Sequence, residues 1–154
     1  MTLDIKPLTP EESIPYDLLY LADESERAVA DYLTRGNCYV GRVDGCVVGE
    51  YVLLPTRPFT VELVNLAVLP AYQGQGYAKR LIYHALEIAR QQRYEVMEIG
   101  TGDSGVTQLA LYQKCGFEIY GVDYDFFVKH YDKPIFENGL RCRHMVRLRM
   151  DLCR

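Results

Sequence analysis

The stretch Val64-Asn65-Leu66-Ala67-Val68-Leu69-Pro70-Ala71-Tyr72-Gln73-Gly74-Gln75-Gly76-Tyr77-Ala78-Lys79-Arg80 decides how the rest of the chain is read. Val64, Leu66 and Val68 lie in an apolar, β-branched run, which predicts a strand over Thr60–Val68 that Pro70 closes. Ala78, Leu81, Ile82, Ala85, Leu86 and Ala89 recur at helical spacing and predict a helix with one apolar face. No Ser, Thr, Asp or Asn stands where that helix would be capped, so its first backbone N–H groups lack a side-chain partner. Gly74 and Gly76 let another molecule come close to that backbone. Free amides at the positive end of a helix dipole make an anion site suited to phosphate, and Lys79 and Arg80 add charge beside it. A plain turn between strand and helix reads equally well from the local pattern alone. A dinucleotide-binding fold would want a third glycine where Lys79 stands. A nucleotide-triphosphate loop would want Gly-Lys followed by Ser or Thr, which is absent.

Outward from this stretch the pattern alternates between strands and helices. Leu3 to Pro7 predicts a short first strand, and Thr9-Pro10-Glu11-Glu12 a helix start running on to Leu21, with Pro15 softening the boundary. A second helix is expected from Ser25 to Leu33, stopped by Gly36. Cys38–Val43 and Cys46–Leu54 read as a hairpin around Asp44-Gly45. After the central helix come a short strand over Val96–Ile99, a loop from Thr101 to Gly105, and a helix over Val106–Cys115 stopped by Gly116. Glu118–Val128 and Arg141–Cys153 are expected as the last strands, joined by a long connection from His130 to Gly139.

The 154 residues suit a single domain, 1–154, with a substantial core. A net charge of −4 argues against general nucleic-acid binding, and no apolar run approaches a membrane span. Cys38, Cys46, Cys115, Cys142 and Cys153 are odd in number and carry no metal-binding spacing, so they read as reduced thiols of a cytoplasmic protein. His84, His130 and His144 show no metal spacing either, and His84 falls on the polar face of the central helix as an expected surface residue.

A second segment, Leu111-Tyr112-Gln113-Lys114-Cys115-Gly116-Phe117, completes the pattern. Gln73-x-x-Gly76-x-Ala78 resembles the acetyl-CoA-binding motif of the GNAT superfamily of N-acetyltransferases, Gln/Arg-x-x-Gly-x-Gly/Ala. The second segment is similar to that family's Leu-Tyr-x-Lys-x-Gly-Phe. The resemblance implies an α/β (α+β) fold with a mixed, largely antiparallel sheet of about seven strands flanked by about four helices.

The resemblance also implies acetyl transfer from acetyl-CoA to a primary amine by direct attack in a ternary complex, with no metal. It assigns the CoA pyrophosphate to the amides of Gln73, Gly74, Gln75, Gly76, Tyr77 and Ala78, with Lys79 close by. The pantetheine arm falls to the backbone of Leu66, Ala67 and Val68, where an N–H would also polarise the thioester carbonyl. Tyr112 matches the tyrosine that protonates the departing thiolate, and Glu62 the glutamate that takes the amine's proton, often through water. Read without the family, Tyr112 is a packed helix residue and Glu62 a solvated strand-end carboxylate. Lys114 is either a phosphate contact or an exposed lysine. Where many members carry Asn before the Leu-Tyr motif, this chain has Asp103-Ser104-Gly105. Asp103 is therefore expected to turn away from the phosphates, and Ser104 to take the contact.

Residues 1–34 hold eight acids (Asp4, Glu11, Glu12, Asp17, Asp23, Glu24, Glu26, Asp31) against Lys6 and Arg27. That surplus reads as a solvated face, or as a wall attracting a cationic small-molecule or protein amine. On the last strand Arg141, Arg143, Arg147 and Arg149 share a face, and pairing with Asp123 and Asp125 across the sheet is the simpler reading. Family members often pair through terminal strands, so the resemblance allows a homodimer. The runner-up function is a GNAT-like module that holds CoA as a sensor without turnover; a phosphate-binding regulator of another kind would leave the Leu111–Phe117 motif as coincidence.

Overall fold

The structure is a computed structural model that describes residues 2–153. Its strands and helices follow in the order β1 (Asp4–Pro7), α1 (Tyr16–Ala22), α2 (Glu26–Arg35), β2 (Asn37–Val43), β3 (Cys46–Arg57), β4 (Thr60–Val68), α3 (Tyr77–Gln91), β5 (Val96–Gly102), α4 (Val106–Lys114), β6 (Glu118–Asp123), α5 (Phe126–His130), β7 (Ile135–Glu137), β8 (Leu140–Cys142) and β9 (Met145–Asp151). Seven strands form one sheet in the order β1-β2-β3-β4-β5-β9-β6, in which only β4 and β5 run parallel; β7 and β8 form a separate hairpin. The expected mixed, largely antiparallel sheet is present, with five helices about it.

The sheet has two differently built faces. Leu81, Ile82, Ala85, Leu86 and Ala89 of α3 pack with Tyr51, Leu53, Leu63, Met97, Ile99 and Leu148 on one face, joined by Tyr112 and Phe117. The other face carries a smaller core of Leu19, Val29, Tyr32, Val52 and Leu54 beneath α1 and α2. A β-bulge divides these roles along β4. Val52 pairs with Asn65 but Leu53 pairs with Leu63, so Val64 is the extra residue. Leu63 joins the α3 core, while Val64 packs under α1 and α2 and the Asn65 side chain bonds to groups of those two helices.

β3 runs on past Leu54 to Arg57 and β5 past Ile99 to Gly102, and three further boundaries differ from the sequence expectation. The first helix begins at Tyr16, not at Thr9. Pro15 biases the residue before it away from helical geometry, so Thr9–Glu12 closes on itself instead. Glu12 Oε1 accepts hydrogen bonds from Thr9 N and Thr9 Oγ1 at 3.0 Å each, and Glu12 also pairs with Arg42 of β2. The strand from Glu118 ends at Asp123, because Asp125 takes a left-handed φ of 58° and opens α5. The final strand is split. Asp103 Oδ1 accepts from the N–H groups of Arg143 (2.8 Å) and His144 (3.0 Å), β8 pairs with β7, and β9 begins at Met145.

Candidate active site

β4 and β5 pair only through Thr60–Val96, Val61–Met97 and Glu62–Glu98. Beyond these three pairs the strands part. Leu66, Ala67 and Val68 remain paired with β3 (to Tyr51, Glu50 and Gly49) but carry no strand on their other edge. The bulge at Val64 lies where the two strands separate, as expected of a device that bends and twists one strand of a pair. An extended arm can use the backbone groups of that open edge as a further strand would.

The strand leads through a short 3₁₀ turn, Pro70–Tyr72, into α3. Gly74 and Gly76 have φ of 76° and 85°, the left-handed region where glycine carries no Cβ penalty. A Cβ at either position would meet nothing within 4 Å, so the turn is open on its outer side. Gly76 is the N-cap of α3, with no side-chain hydrogen bond to it. Gln73 Nε2 turns back to donate to Val68 O at 2.9 Å, which ties the loop to the end of β4. Gln73, Gly74, Gln75, Gly76 and Lys79 are exposed, Ala78 is half-buried and Tyr77 is buried against the core. The free amides, the helix dipole and the open glycine surface fit a pyrophosphate.

Tyr112 is buried, edge-on to Phe117. Burial holds its phenol above the ordinary tyrosine range. Lys114 is exposed at the end of α4. Asp103 is engaged by the backbone of Arg143 and His144. Ser104 departs from expectation: it is 1% exposed, and its carbonyl accepts from Asn138 Nδ2 at 2.9 Å. A surface contact through its hydroxyl would require the loop to move.

Glu62 is neither at the end of a strand nor solvated. It stands inside β4 between Leu54 and Glu98, with its side chain 17% exposed. Burial raises its pKa, Arg147 at 3.7 Å opposes the rise, and the charge of Glu98 adds to it. Glu98 is 5% exposed and accepts from Arg57 Nη2 at 2.5 Å and from the Tyr120 hydroxyl at 2.7 Å. Arg147 also faces Asp123 at 4.0 Å, Arg143 faces Asp125 at 3.4 Å, and Arg149 lies 4.8 Å over the Tyr120 ring. Arg147 and Arg143 are thus paired with Asp123 and Asp125, the latter from outside β6, while Arg149 lies against a ring instead of an acid.

The acids of residues 1–34 are partly consumed in the same way. Asp4 pairs with Lys6, Asp31 with Arg35 and Glu12 with Arg42. Asp23 is drawn inward, where it accepts from Ser25 N, the Tyr32 hydroxyl and the Tyr131 hydroxyl. His84, expected at the surface, is half-buried, with Nδ1 2.7 Å from the Tyr51 hydroxyl; α3 turns it toward the sheet because Tyr39 and Tyr51 stack below it. Two residues escaped the sequence reading. Glu50 and Asn65 are buried polar side chains on neighbouring strands. The signal for Glu50 was available, since a lone acid interrupts the apolar run of β3.

Among the described residues, no helix is long and apolar enough to cross a membrane, and no His, Cys, Asp and Glu cluster could hold a metal ion. The acetyltransferase (GNAT) family matches residues 5–117. The chain is 53% identical over 137 residues to the uncharacterized N-acetyltransferase YvbK of Bacillus subtilis (strain 168), covering 89% of this chain and 88% of that one. An IAA acetyltransferase from Bacillus cereus ATCC 14579 superposes with a TM-score of 0.94 at 51% identity, covering 97% of this chain and 99% of that one. A GNAT family acetyltransferase from Elizabethkingia anophelis, solved with acetyl-CoA bound, gives a TM-score of 0.95 at 40% identity, with 97% of each chain covered. With an opening between β4 and β5 beside an uncapped glycine turn, a family match over residues 5–117 and close likeness to a protein solved with acetyl-CoA, this chain belongs to the acetyltransferase (GNAT) family as an acetyl-CoA-dependent acyltransferase.

Proposed function

We propose that residues 1–154 act as one N-acetyltransferase domain, which passes an acetyl group from acetyl-CoA to a primary amine by direct attack within a ternary complex. The observation that carries this reading is the parting of β4 and β5 directly ahead of the open Gly74–Gly76 turn. In this reading the amides of residues 74–78 hold the pyrophosphate, with Lys79 and Lys114 beside the phosphates; the Gln73 amide, expected among them, instead donates to Pro70 O at 3.3 Å. The free edge of Leu66, Ala67 and Val68 holds the pantetheine arm, and an N–H there stabilises the charge that develops on the thioester oxygen. When bound, acetyl-CoA supplies the activated acetyl group.

Glu62 takes the proton that the amine loses. Its separation along β4 from Ala67 makes water the carrier, and its buried setting beside Glu98 makes it a better base than an exposed glutamate. Tyr112 serves the departing sulfur. Burial keeps its phenol protonated, with a pKa above that of a thiol near ~8.5, so it donates a hydrogen bond to the thiolate more readily than a whole proton.

A panel of alkylamines, polyamines and peptide amines, assayed for CoA release with the acetylated product identified by mass, tests the reading. Amine-dependent release with a matching acetyl-amine supports it. CoA binding without release by any amine would mark a ligand-holding module instead.

A further inference from the structure

Glu50 lies in the middle of β3 and is 0% exposed, and neither carboxyl oxygen has a hydrogen-bond partner among the described residues. An unpaired carboxyl is costly to bury, and more so once it is charged. Its partner across the strand pair is Ala67, in the segment that borders the opening between β4 and β5. Directly opposed side chains on antiparallel strands sit ~5 Å apart, and alanine is too short to fill the space above β4.

Asn65 stands two residues away on the same face of β4. Its Nδ2 donates to Leu19 O at 3.0 Å and to the Tyr32 hydroxyl at 2.8 Å, while its Oδ1 is buried without a donor. Tyr32 also feels the charge of Glu50. Three acceptor atoms without donors therefore occupy neighbouring positions of β3 and β4. A primary ammonium has three N–H donors and no acceptor, so it satisfies such a set. Burial alone pushes Glu50 up to about 8, so its ionised form calls for a cation beside it.

A file of hydrogen bonds connects this pair to the surface. Asn65 donates to Tyr32, Tyr32 donates to Asp23 at 3.1 Å, and Tyr131 donates to the other oxygen of Asp23 at 2.7 Å. Tyr131 lines a cleft of about 530 Å³ between residues 24–27, at the start of α2, and residues 130–133. The Asp23 node stands between that cleft and the buried acceptors.

We propose that Glu50 and Asn65 form the seat for the acceptor's ammonium group, and that a primary alkylamine reaches it from this cleft past Asp23. The inference rests on the amine-acetylation reading and narrows it to acceptors whose nitrogen arrives as a cation. Glu50 and Asn65 are positioning residues here: they hold the nitrogen over β4, next to the backbone assigned to the thioester. Glu62 keeps the proton-accepting role.

The test uses the full chain labelled with carbon-13 at its glutamate carboxyls, saturated with CoA and titrated with n-butylamine and with spermidine at neutral pH. Glu50→Gln assigns the resonance, and Glu50→Asp replaces it if that variant does not fold. The Glu50 signal is expected to move saturably toward its ionised position. Glu50→Gln should raise the KM of an accepted amine at least about tenfold, as for loss of a charged hydrogen-bond partner, and leave the KM of acetyl-CoA unchanged. A Glu50 signal that neither amine moves overturns the seat, as does an unaltered amine KM in Glu50→Gln. The two readings fail separately. Amine-dependent CoA release with an unmoved Glu50 removes the seat and keeps the transferase reading, whereas a moved Glu50 without CoA release keeps the seat and removes that reading.

Discussion

Glu62 has one opposing charge, Arg147, and one like charge, Glu98, and burial, helped by Glu98, outweighs Arg147 in setting its pKa above the ordinary 4.5. A base must be unprotonated to act, so activity should fall as pH drops through that raised value. Glu62→Gln is expected to flatten the acidic limb of the kcat/KM profile, with activity partly restored at high pH, where the amine loses its proton in solution. An unchanged limb and rate would assign the proton to water or a backbone carbonyl. Tyr112→Phe should lower kcat by about 10²-fold with CoA affinity little changed, provided single-turnover kinetics show that chemistry limits the rate. Full turnover would reduce Tyr112 to packing against Phe117. For Glu50 the sign is opposite to that of a salt-bridged carboxylate. Its folded pKa of about 8 lies above 4.5, so the folded state holds the proton more tightly. Its contribution to stability is complete below 4.5 and is lost as pH rises through about 8. In urea unfolding of the CoA-free chain, wild type should lose stability across that window relative to Glu50→Gln. Parallel curves for the two proteins would contradict the burial of an unpaired acid. At this scale the sequence was legible where helical spacing placed the residue, as for Tyr112 on α4. It was not legible where burial set the chemistry: Glu62, read without the family, was a solvated carboxylate, and nothing local marked Asn65 as buried within its strand.

The strand–turn–helix unit around Gly76 was legible because its periodicities are local: apolar alternation in β4, helical spacing in α3, and two glycines between. The bulge at Val64 was not, because it exists only in the register between β3 and β4. Nor was the break before β9, since the carboxylate that captures the amides of Arg143 and His144 comes from Asp103, 40 residues away from Arg143 in sequence. Tertiary partners of this kind override local strand propensity. The glycine turn carries its own test. Gly76→Asp puts a side chain on a residue with φ of 85° and a negative charge into the open space beside the α3 amides. The variant should fold but lose the rise in melting temperature that acetyl-CoA gives the wild type through ligand linkage. A folded variant with the full rise would show that the phosphates bind elsewhere.

Across the whole molecule, the sheet assigns different work to its two faces. The α3 face supplies the large core and the side from which the α3 amides project, and the α1–α2 face holds the buried polar file from Tyr131 to Asn65. The acid surplus of residues 1–34 was visible in the sequence, but its disposition was not: Asp4, Glu12 and Asp31 are paired, and Asp23 is turned inward as a hub. What joins the faces is the opening between β4 and β5, the proposed entry of acetyl-CoA. Hydrogen–deuterium exchange with and without saturating acetyl-CoA reads this directly. Exchange should slow in peptides covering residues 66–68 and 73–78, and stay unchanged along β2, whose neighbours β1 and β3 already occupy both edges. Saturation with acetyl-CoA that leaves residues 66–68 and 73–78 exchanging at their free rates would contradict it.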